Sequence, residues 1–465
     1  MKIVALLPLL LLAAPQAKDD RPSFLFAVAD DWSFPHAGVY GDKTIKTPTF
    51  DRVAAQGVLF TQSYCASSSC TPSRAAMLTG QAIYRLEDSG NLWSRLPTTI
   101  DTYPDLLEKR GYAIGLQGKG WGPGDFKAGG RSRNPAGPAV KSFAEFLKTV
   151  PEGTPFCFWL GHKDPHRPYK EGQGLAAGLT LETVQVPPYL PDTPEVRSDL
   201  LDYYAAVQRY DQDTGEILKQ LDESGRARNT IVVMTSDNGL PFPRAKATLY
   251  DAGMRMPLAI RWPAKIAGGR KVDALVTHCD FAPTTLEAAG LNVPSSMTGR
   301  SLLPLLTKGE DSGRDRIVFA RERHANVRQG DLSYPARAIR TKEYLYIRNL
   351  RPDLWPAGDP MKWVAVGPFG DVDAGPSKEQ IIARRDQDLQ RFFLLAFDKR
   401  PERELFDVTK DPWQLENIAP RNPELVGKLD AEMTRVLQDT GDPRVVDGKL
   451  SGADDRWDKY PYYGR

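Results

Sequence analysis

The chain has 465 residues, of which 41% are hydrophobic and 26% are charged, an ordinary globular composition. Lysine and arginine number 61 against 59 acidic residues, a net charge of +2, so we expect no nucleic-acid partner, which would favour a basic excess. Four cysteines are too few for a disulfide-built scaffold, and five histidines leave few ligands for a multi-zinc site.

Residues 1–17 have the pattern of a secretory signal peptide. A basic residue, Lys2, precedes an apolar run from Ile3 to Ala14, and the small residue Ala17 ends the segment. This run is shorter than the roughly 20 apolar residues of a membrane span, and no later segment is long enough. We therefore expect cleavage after Ala17, with Ala14 as the rival, and export to the periplasm or the cell exterior without stable membrane insertion. A buried N-terminal helix or strand is the alternative.

Strand-like and helix-like segments alternate along the chain, which favours the α/β class. The continuous apolar run at 23–29 predicts a strand buried on both faces. Polar residues follow several of these strands, and ligands bind at that edge of open α/β sheets. Further strands are predicted at 112–116, 156–160 and 230–234, and helices at 48–55, 198–224 and 280–289.

The C-terminal part of the chain has a different pattern of residues. Short alternating runs at 344–347 and 405–407 predict strands, and an amphipathic pattern predicts a last helix at 424–437. We therefore divide the mature chain into a catalytic domain, residues 18–330, and a smaller C-terminal α+β subdomain, residues 331–465, with a short antiparallel sheet plus a helix.

The most specific motif is the string Cys70-Thr71-Pro72-Ser73-Arg74, which opens a helix-compatible stretch. A cysteine followed at +2 by proline and at +4 by arginine resembles the signature of the type I, formylglycine-dependent sulfatases. In that family a formylglycine-generating enzyme oxidises this cysteine to formylglycine (3-oxoalanine). The resemblance implies an alkaline-phosphatase-like sulfatase fold, with a large mixed central sheet flanked by helices. A free structural cysteine before a helix is the alternative.

The chemistry of sulfate transfer explains why such a nucleophile is useful. Sulfate esters and sulfamates carry a negative charge that repels nucleophiles. A hydrated aldehyde offers two hydroxyls on one carbon, so that one attacks sulfur and the other, once deprotonated, expels sulfate. Such a site also needs a metal, cations that hold the anionic group and an acid for the leaving atom.

Two pairs of residues with side-chain oxygens follow predicted strands and suit a metal site. Asp30 and Asp31 follow the first strand, and Asp237 and Asn238 follow the strand at 230–234. Three carboxylates and one amide form an all-oxygen set that suits Ca²⁺. The resemblance assigns these residues, with the modified cysteine at position 70, as calcium ligands. Taken alone, either pair is also typical of a turn or a helix cap.

The resemblance also implies roles for four other polar residues. Lys119 resembles the lysine that contacts the modified residue and the sulfate, and Arg74 the residue that steadies the hydrated aldehyde. His166 resembles the histidine that protonates the leaving atom, and Lys246 the lysine that clamps sulfate and leaving oxygen. Taken singly, each lysine or arginine is more typical of a solvated surface.

One position departs from the family pattern. The family usually has Lys-x-His where this chain has Lys119-Gly120-Trp121, and an indole cannot orient or deprotonate the hydrated aldehyde as that histidine does. The open outcomes are altered kinetics, a weakened enzyme, or replacement by another residue. His36 and His162 are the candidates for that place and for contacts with substrate.

Several stretches are similar to the heparan N-sulfatase (sulfamidase) branch, among them 186–194, 333–337 and 355–360. That resemblance implies hydrolysis of a sulfamate or sulfate ester on a saccharide, with heparan-type N-sulfoglucosamine favoured. An O-sulfated polysaccharide such as ulvan stays open, because bacterial members of this branch are diverse. Lys246 departs from the arginine that lysosomal sulfamidases carry.

A cluster of basic residues lies where the subdomain begins. We expect some of them, Arg323 and His324 first, to bind sugar carboxylates or neighbouring sulfates, because arginine forms bidentate pairs with such groups. Salt bridges with nearby acidic residues are the alternative. The cluster consists of Arg321, Arg323, His324, Arg328 and Arg337.

Other functions and the disulfide state stay open. A phosphoester or phosphonate hydrolase of the same superfamily would share much of this motif set, although its zinc phosphatases need more histidines. The substitution at Trp121 also admits a non-catalytic protein that binds glycans. The sequence does not decide whether Cys65, Cys157 or Cys279 forms a disulfide.

Overall fold

The structure is a computed structural model that describes residues 20–364 and 367–463. The signal peptide predicted at residues 1–17 lies outside the described residues. Among the described residues, no helix is both long enough and apolar enough to cross a bilayer.

The strands and helices alternate along the chain, as the α/β prediction requires. The strands are β1 (Ser23–Ala29), β2 (Val58–Phe60), β3 (Ser63–Tyr64), β4 (Ala113–Gly118), β5 (Phe156–Gly161), β6 (Thr230–Ser236), β7 (Leu258–Arg261), β8 (Arg270–Val272), β9 (Val276–Thr277), β10 (Arg316–Arg321), β11 (Ala336–Thr341), β12 (Tyr344–Asn349), β13 (Arg403–Asp407), β14 (Val445–Val446) and β15 (Lys449–Leu450). The helices are α1 (Pro48–Ala55), α2 (Cys70–Thr79), α3 (Tyr103–Lys109), α4 (Phe143–Thr149), α5 (Gln173–Ala176), α6 (Pro194–Glu223), α7 (Asp251–Met254), α8 (Phe281–Ala288), α9 (Leu303–Lys308), α10 (Pro376–Ala383), α11 (Gln390–Ala396), α12 (Pro423–Asp439) and α13 (Arg456–Lys459).

The central sheet has seven strands in the order β4-β5-β1-β6-β7-β2-β8. Strands β4, β5, β1 and β6 are mutually parallel, while β7 runs antiparallel to both β6 and β2. This mixed sheet with flanking helices confirms the predicted fold class. The carboxyl ends of the four parallel strands meet at one edge, where open α/β sheets bind ligands.

Strand β1 lies in the middle of the sheet because both of its faces are apolar. Side chains alternate between the two faces of a strand. Leu25 and Ala27 pack in one hydrophobic core together with α6, while Phe24 and Phe26 pack in a second core on the other face. The uninterrupted apolar run in the sequence reflects this burial on both sides.

A second, four-stranded antiparallel sheet has the order β10-β11-β12-β13, and α12 packs against it. This confirms the predicted short antiparallel sheet with a helix. Its first strand, Arg316–Arg321, lies before residue 331. Val318 and its neighbours in this strand pair in register with β11. The sheet thus begins inside the segment assigned to the catalytic domain, and the division at residue 330 stays a prediction.

Candidate active site

The carboxyl ends of the parallel strands β4, β5 and β1 border a cavity of about 1120 Å³. Asp30 follows β1, Lys119 follows β4, and His166 lies in the loop after β5. Cys70 and Lys246 also line this cavity. The topology of the sheet therefore brings together side chains that are far apart in the sequence.

Cys70 is the first residue of α2 and is only 2% exposed. Its Sγ lies 3.4 Å from Oδ1 of Asp30 and 4.0 Å from Oδ1 of Asp31. Burial raises the pKa of the Cys70 thiol well above its ordinary value, and the neighbouring carboxylates act in the same direction. Since the thiolate is the reactive form, the unmodified cysteine is a poor nucleophile here.

Four acidic or thiol side chains converge beside this helix terminus. Asp30, Asp31, Cys70 and Asp237 each offer one atom within 4.8 Å of the others, and all four are buried. The carboxamide Oδ1 of Asn238 is also buried and has no hydrogen-bond partner among the described residues. Oxygen donors with an unsatisfied amide oxygen are the set that a hard cation such as Ca²⁺ takes. The residues present therefore fit the ion that the resemblance implies.

The cluster is held by cations around it. Arg74, fully buried one helical turn after Cys70, donates from Nε to Oδ2 of Asp237 over 2.6 Å and from Nη1 to the carbonyl oxygen of Lys119 over 2.8 Å. Lys119 places Nζ 2.7 Å from both carboxylate oxygens of Asp30. These contacts fix the acidic side chains with respect to Cys70.

The pKa values of the two neighbouring aspartates are shifted in opposite directions. Burial raises the pKa of Asp30, but the charges of Lys119 and Arg74 outweigh it and hold that pKa well below its ordinary value. Burial raises the pKa of Asp31 to about 6, with Asp30 and Asp237 adding to the rise and Lys246 opposing it. Part of the rise at Asp31 comes from repulsion among the carboxylates of the cluster, which a bound cation would relieve.

Lys246 joins the cluster to a carboxylate that sequence reasoning missed. Its Nζ lies 2.7 Å from Oδ2 of Asp31 and 3.1 Å from Oδ2 of Asp373. Asp373 lines the cavity. Burial raises its pKa, but Lys246, His166 and His324 together lower that pKa to about 2. It lies in the long loop between β12 and α10, where no strand end marks it.

His166 has one ring nitrogen held by the backbone and one directed to the cluster. Nδ1 lies 2.5 Å from the carbonyl oxygen of Arg167, which can only accept, so Nδ1 carries a hydrogen. Nε2 lies 3.9 Å from Oδ2 of Asp31. This arrangement leaves Nε2 to exchange a proton with a group in the cavity.

Trp121 occupies the family's histidine position at the cavity wall and is 3% exposed. Neither histidine proposed as its replacement lines the cavity among the described residues. His36 is buried with Nδ1 3.2 Å from the hydroxyl of Tyr203, and His162 places Nε2 2.9 Å from Oδ2 of Asp213. These contacts hold both rings outside the cavity lining.

A different histidine does lie at the cavity wall. His324 is 6% exposed, and its Nδ1 is 2.8 Å from the hydroxyl of Ser69, the N-cap residue of α2. Burial lowers the pKa of His324 to about 4, so the ring is neutral at pH 7. The sequence predicts this residue as a substrate contact, and the structure places its ring against Ser69, which directly precedes Cys70.

The arginines near His324 are internal supports. Arg321 and Arg328 each donate to Oδ2 of Asp371, over 2.7 and 2.6 Å. Arg337 pairs with Glu322 and Asp442. None of these three arginines lines the cavity among the described residues. Their contacts agree with the alternative that they form salt bridges with nearby acidic residues.

Arg323 is likewise 2% exposed and absent from the cavity lining among the described residues. Its Nη2 donates to the carbonyl oxygen of Tyr460 over 2.7 Å. This contact anchors the C-terminal segment, whose Tyr462 reaches the cavity. The expected direct contact between Arg323 and substrate does not fit this burial.

The outer cavity combines aromatic and cationic side chains. The rings of Trp93 and Tyr462 lie 5.9 Å apart, and the backbone N–H of Tyr463 donates to the carbonyl oxygen of Trp93 over 2.8 Å. Two exposed lysines, Lys163 and Lys362, also line the cavity. Sequence reasoning missed Trp93 and Tyr462, because no strand end or family motif marks either residue.

The structure also answers the disulfide question. Cys65, Cys70, Cys157 and Cys279 are all free and buried. Cys70 is the one that lines the cavity among the described residues.

This fold and site define an α/β protein with a buried cysteine at a helix start beside a carboxylate cluster and several cations. A sequence model of the family described as "Sulfatase" matches residues 22–128 and 137–291, and a second model, "N-sulphoglucosamine sulphohydrolase, C-terminal", matches residues 244–359. The chain belongs to the sulfatase family and is a sulfate ester or sulfamate hydrolase. The predicted resemblance to the N-sulfoglucosamine branch is confirmed.

Individual relatives agree with this assignment. Human N-sulphoglucosamine sulphohydrolase is 28% identical, with 92% of each chain covered. An ulvan-active sulfatase of Formosa agariphila is 27% identical over 91% of this chain and 76% of its own. A structure solved in complex with its substrate D-glucosamine-2-N,6-O-disulfate superposes with a TM-score of 0.64 at 20% identity, covering 91% of this chain and 99% of the other. That last likeness shows the shared fold.

Proposed function

We propose that this protein is a saccharide sulfatase that acts on N-sulfated glucosamine, with a formylglycine at position 70 and a bound Ca²⁺. One observation carries the proposal: Cys70 Sγ lies 3.4 Å from Asp30 in a cavity that His166 and Lys246 also line. A nucleophile, an acid and a cation around one space match what sulfate transfer requires.

The cofactors supply two parts of this chemistry. Bound Ca²⁺ would be held by Asp30, Asp31, Asp237, Asn238 and the modified residue at position 70, and it offers positive charge that polarises sulfate oxygens. The hydrated aldehyde offers one hydroxyl to attack sulfur and a second whose deprotonation releases sulfate. Burial raises the pKa of the Cys70 thiol, so an unmodified cysteine would stay protonated and would be a poor nucleophile.

The chain's own residues hold the anion and move the proton. Lys119 and Lys246 present ammonium groups on the cavity wall, where they would bind sulfate oxygens. His166 would donate the proton on Nε2 to the leaving atom as the bond to sulfur breaks, since its Nδ1 is fixed on the Arg167 carbonyl. Arg74 would position the site by holding Asp237 and the backbone of Lys119.

His324 would take over the work of the missing family histidine. It is neutral at pH 7, lines the cavity and contacts Ser69 at the N-cap of the helix that Cys70 begins. A neutral imidazole can orient or accept a proton from a hydroxyl at that position. An indole at Trp121 cannot.

The outer cavity supports a saccharide substrate. The rings of Trp93 and Tyr462 offer apolar faces for the C–H bonds of a sugar ring, and Lys163 and Lys362 add positive charge at the rim. The match to the N-sulphoglucosamine sulphohydrolase C-terminal family model over residues 244–359 favours N-sulfoglucosamine. Maturation would need a formylglycine-generating enzyme, and export rests on the signal-peptide pattern of residues 1–17.

An O-sulfatase on another polysaccharide is the second candidate. It is favoured by the similarity to an ulvan-active sulfatase over 91% of this chain. Lys246 stands where lysosomal sulfamidases carry arginine. This difference in the site is consistent with a substrate that has a different leaving group.

Sulfate release measured by ion chromatography tests the proposal. The protein, co-expressed with a formylglycine-generating enzyme, is given N-sulfoglucosamine, glucosamine 6-O-sulfate, an ulvan oligosaccharide and a phosphate-ester analogue. Release fastest from the N-sulfate supports the proposal, and release from ulvan alone supports the second candidate. A higher rate on the phosphate ester, or binding without release, contradicts both and favours a phosphohydrolase or a glycan-binding protein.

A further inference from the structure

Asp373 is a carboxylate that the catalytic scheme above does not use. It lines the cavity, and its Oδ2 lies 3.1 Å from Nζ of Lys246. Its other oxygen, Oδ1, accepts no hydrogen bond from the described residues. The side chain is 28% exposed, so this oxygen can meet a bound molecule.

Hydrogen bonds from buried side chains hold the loop that carries Asp373. Asp371, two residues earlier, is fully enclosed and accepts hydrogen bonds from Arg321 and Arg328. Lys378, in α10, donates from Nζ to the carbonyl oxygen of Val372 over 2.7 Å. Buried arginine and lysine contacts on both sides therefore fix the position of this carboxylate in the cavity.

Asp373 lies beside the groups expected to surround the leaving atom. One ligand atom each from Asp373, His166 and Asp31 falls within 4.8 Å of the others. Lys246 contacts Asp31 and Asp373 at once. The proton donor and the sulfate-binding ammonium therefore share a neighbour in Asp373.

A carboxylate in this place discriminates between two kinds of substrate. It repels a sulfate group unless a donor hydrogen lies between the two anions. The bridging nitrogen of a sulfamate carries such a hydrogen, whereas the bridging oxygen of a sulfate ester carries none. After cleavage the sulfamate also leaves an amine, whose protonated form a carboxylate binds.

We infer that Asp373 is a specificity-determining residue that accepts a hydrogen bond from the N–H of a sulfamate and so favours N-sulfated over O-sulfated glucosamine. The inference rests on the proposed function, which it deepens by naming the group that recognises the leaving nitrogen.

The variant Asp373→Leu removes the acceptor, while Asp373→Asn keeps an acceptor oxygen without the charge. We expect Asp373→Leu to lower kcat/KM for N-sulfoglucosamine by about 10- to 100-fold, the range of a hydrogen bond to a charged group. The same variant should leave kcat/KM for glucosamine 6-O-sulfate nearly unchanged or raised, and Asp373→Asn should fall between wild type and leucine. The two substrates act as each other's control, and an unchanged melting temperature shows that each variant is folded.

A parallel loss on both substrates would overturn the inference, because Asp373 would then act only by holding Lys246. Binding of the amine product gives a second readout that needs no turnover. Calorimetry should show that wild type binds glucosamine more tightly than N-acetylglucosamine and that Asp373→Leu loses this preference. If wild type releases no sulfate from the N-sulfate, the proposed function fails, and the calorimetry alone decides the role of Asp373: an equal preference in the variant would overturn it.

Discussion

Lys246 places its ammonium nitrogen 2.7 Å from Oδ2 of Asp31, although 215 positions separate the two residues. Lys246 is 3% exposed and Asp31 is fully buried. Burial lowers the pKa of Lys246, but Asp31 and Asp373 outweigh it and hold that pKa well above its ordinary value. The cavity therefore keeps a permanently charged cation beside the carboxylate cluster.

Removing that cation should disable catalysis. We expect Lys246→Ala to lower kcat by about 10²- to 10³-fold, the usual effect of losing one electrostatic contact to a transition state. Lys246→Arg should retain much of the activity, since it keeps the charge. Steady-state kinetics measure both variants, with Lys265→Ala, an exposed lysine outside the cavity lining, as the control. Full activity of Lys246→Ala would contradict the role.

Calcium should stabilise the folded protein. An ion that binds only the folded state adds about 2.7 kcal/mol at 100 times its dissociation constant, so chelation should lower the melting temperature and added Ca²⁺ should restore it. Asp237→Asn should lose most of this response, because it removes a carboxylate from the cluster. Differential scanning calorimetry with and without Ca²⁺ measures the shift, and a melting temperature indifferent to Ca²⁺ in wild type would contradict the site.

His324 should be needed for turnover more than for binding. We expect His324→Ala to lower kcat by about 10²-fold or more, as loss of a general base does. His162→Ala should have little effect, because His162 does not line the cavity. Trp121→His in the His324→Ala background should recover part of the rate. Comparing kcat across these variants tests the role, and a rise in KM alone would indicate a substrate contact instead.

His278 should make the fold sensitive to acid. It is fully buried and stacked on Phe281, and burial lowers its pKa from 6.5 to about 3. Below pH 6.5 the unfolded chain binds a proton that the folded protein does not, so this contribution is complete above pH 6.5 and declines between pH 6.5 and 3. The loss reaches about 1.4 kcal/mol per pH unit.

His278→Phe should therefore flatten the dependence of stability on pH in that window. Urea unfolding of wild type and variant at several pH values between 4 and 7.5 measures the difference in the free energy of unfolding. If the free energy of unfolding depends on pH in the same way in both proteins, the proposed role of His278 is contradicted. His36 and His324, each with a pKa lowered by burial to about 4, keep part of this slope, whereas Asp31 and Asp211, whose pKa values burial raises to about 6, act in the opposite direction.

Local patterns in the sequence predict the central strands and the first helix well. Ser23–Ala29 and Pro48–Ala55 have the predicted bounds, since an apolar run ending in charge and a proline start followed by a glycine stop are local signals. Helix α6 begins at Pro194, earlier than predicted, because the Thr193 hydroxyl accepts from the backbone N–H of Val196. Helix ends depend on such single side-chain contacts.

The sequence predicts the site residues that directly follow strands. It does not predict those that long loops bring to the cavity. Asp30 and Asp237 follow β1 and β6, so their meeting follows from parallel pairing. Asp373 and Tyr462 reach the cavity from the C-terminal part of the chain, through loops held by buried arginines. The burial of Arg323 could not be predicted either, because a sequence does not show which arginines are enclosed.

We propose that the nucleophile forms from Cys70, so sulfate release should depend on how much of this residue is converted. The most direct measurement follows sulfate release from N-sulfoglucosamine in preparations made with graded amounts of formylglycine-generating enzyme, with the aldehyde fraction at position 70 determined by peptide mass spectrometry. We predict a rate proportional to the aldehyde fraction and no release by Cys70→Ala. Release at an equal rate from unmodified protein or from Cys70→Ala would contradict the account.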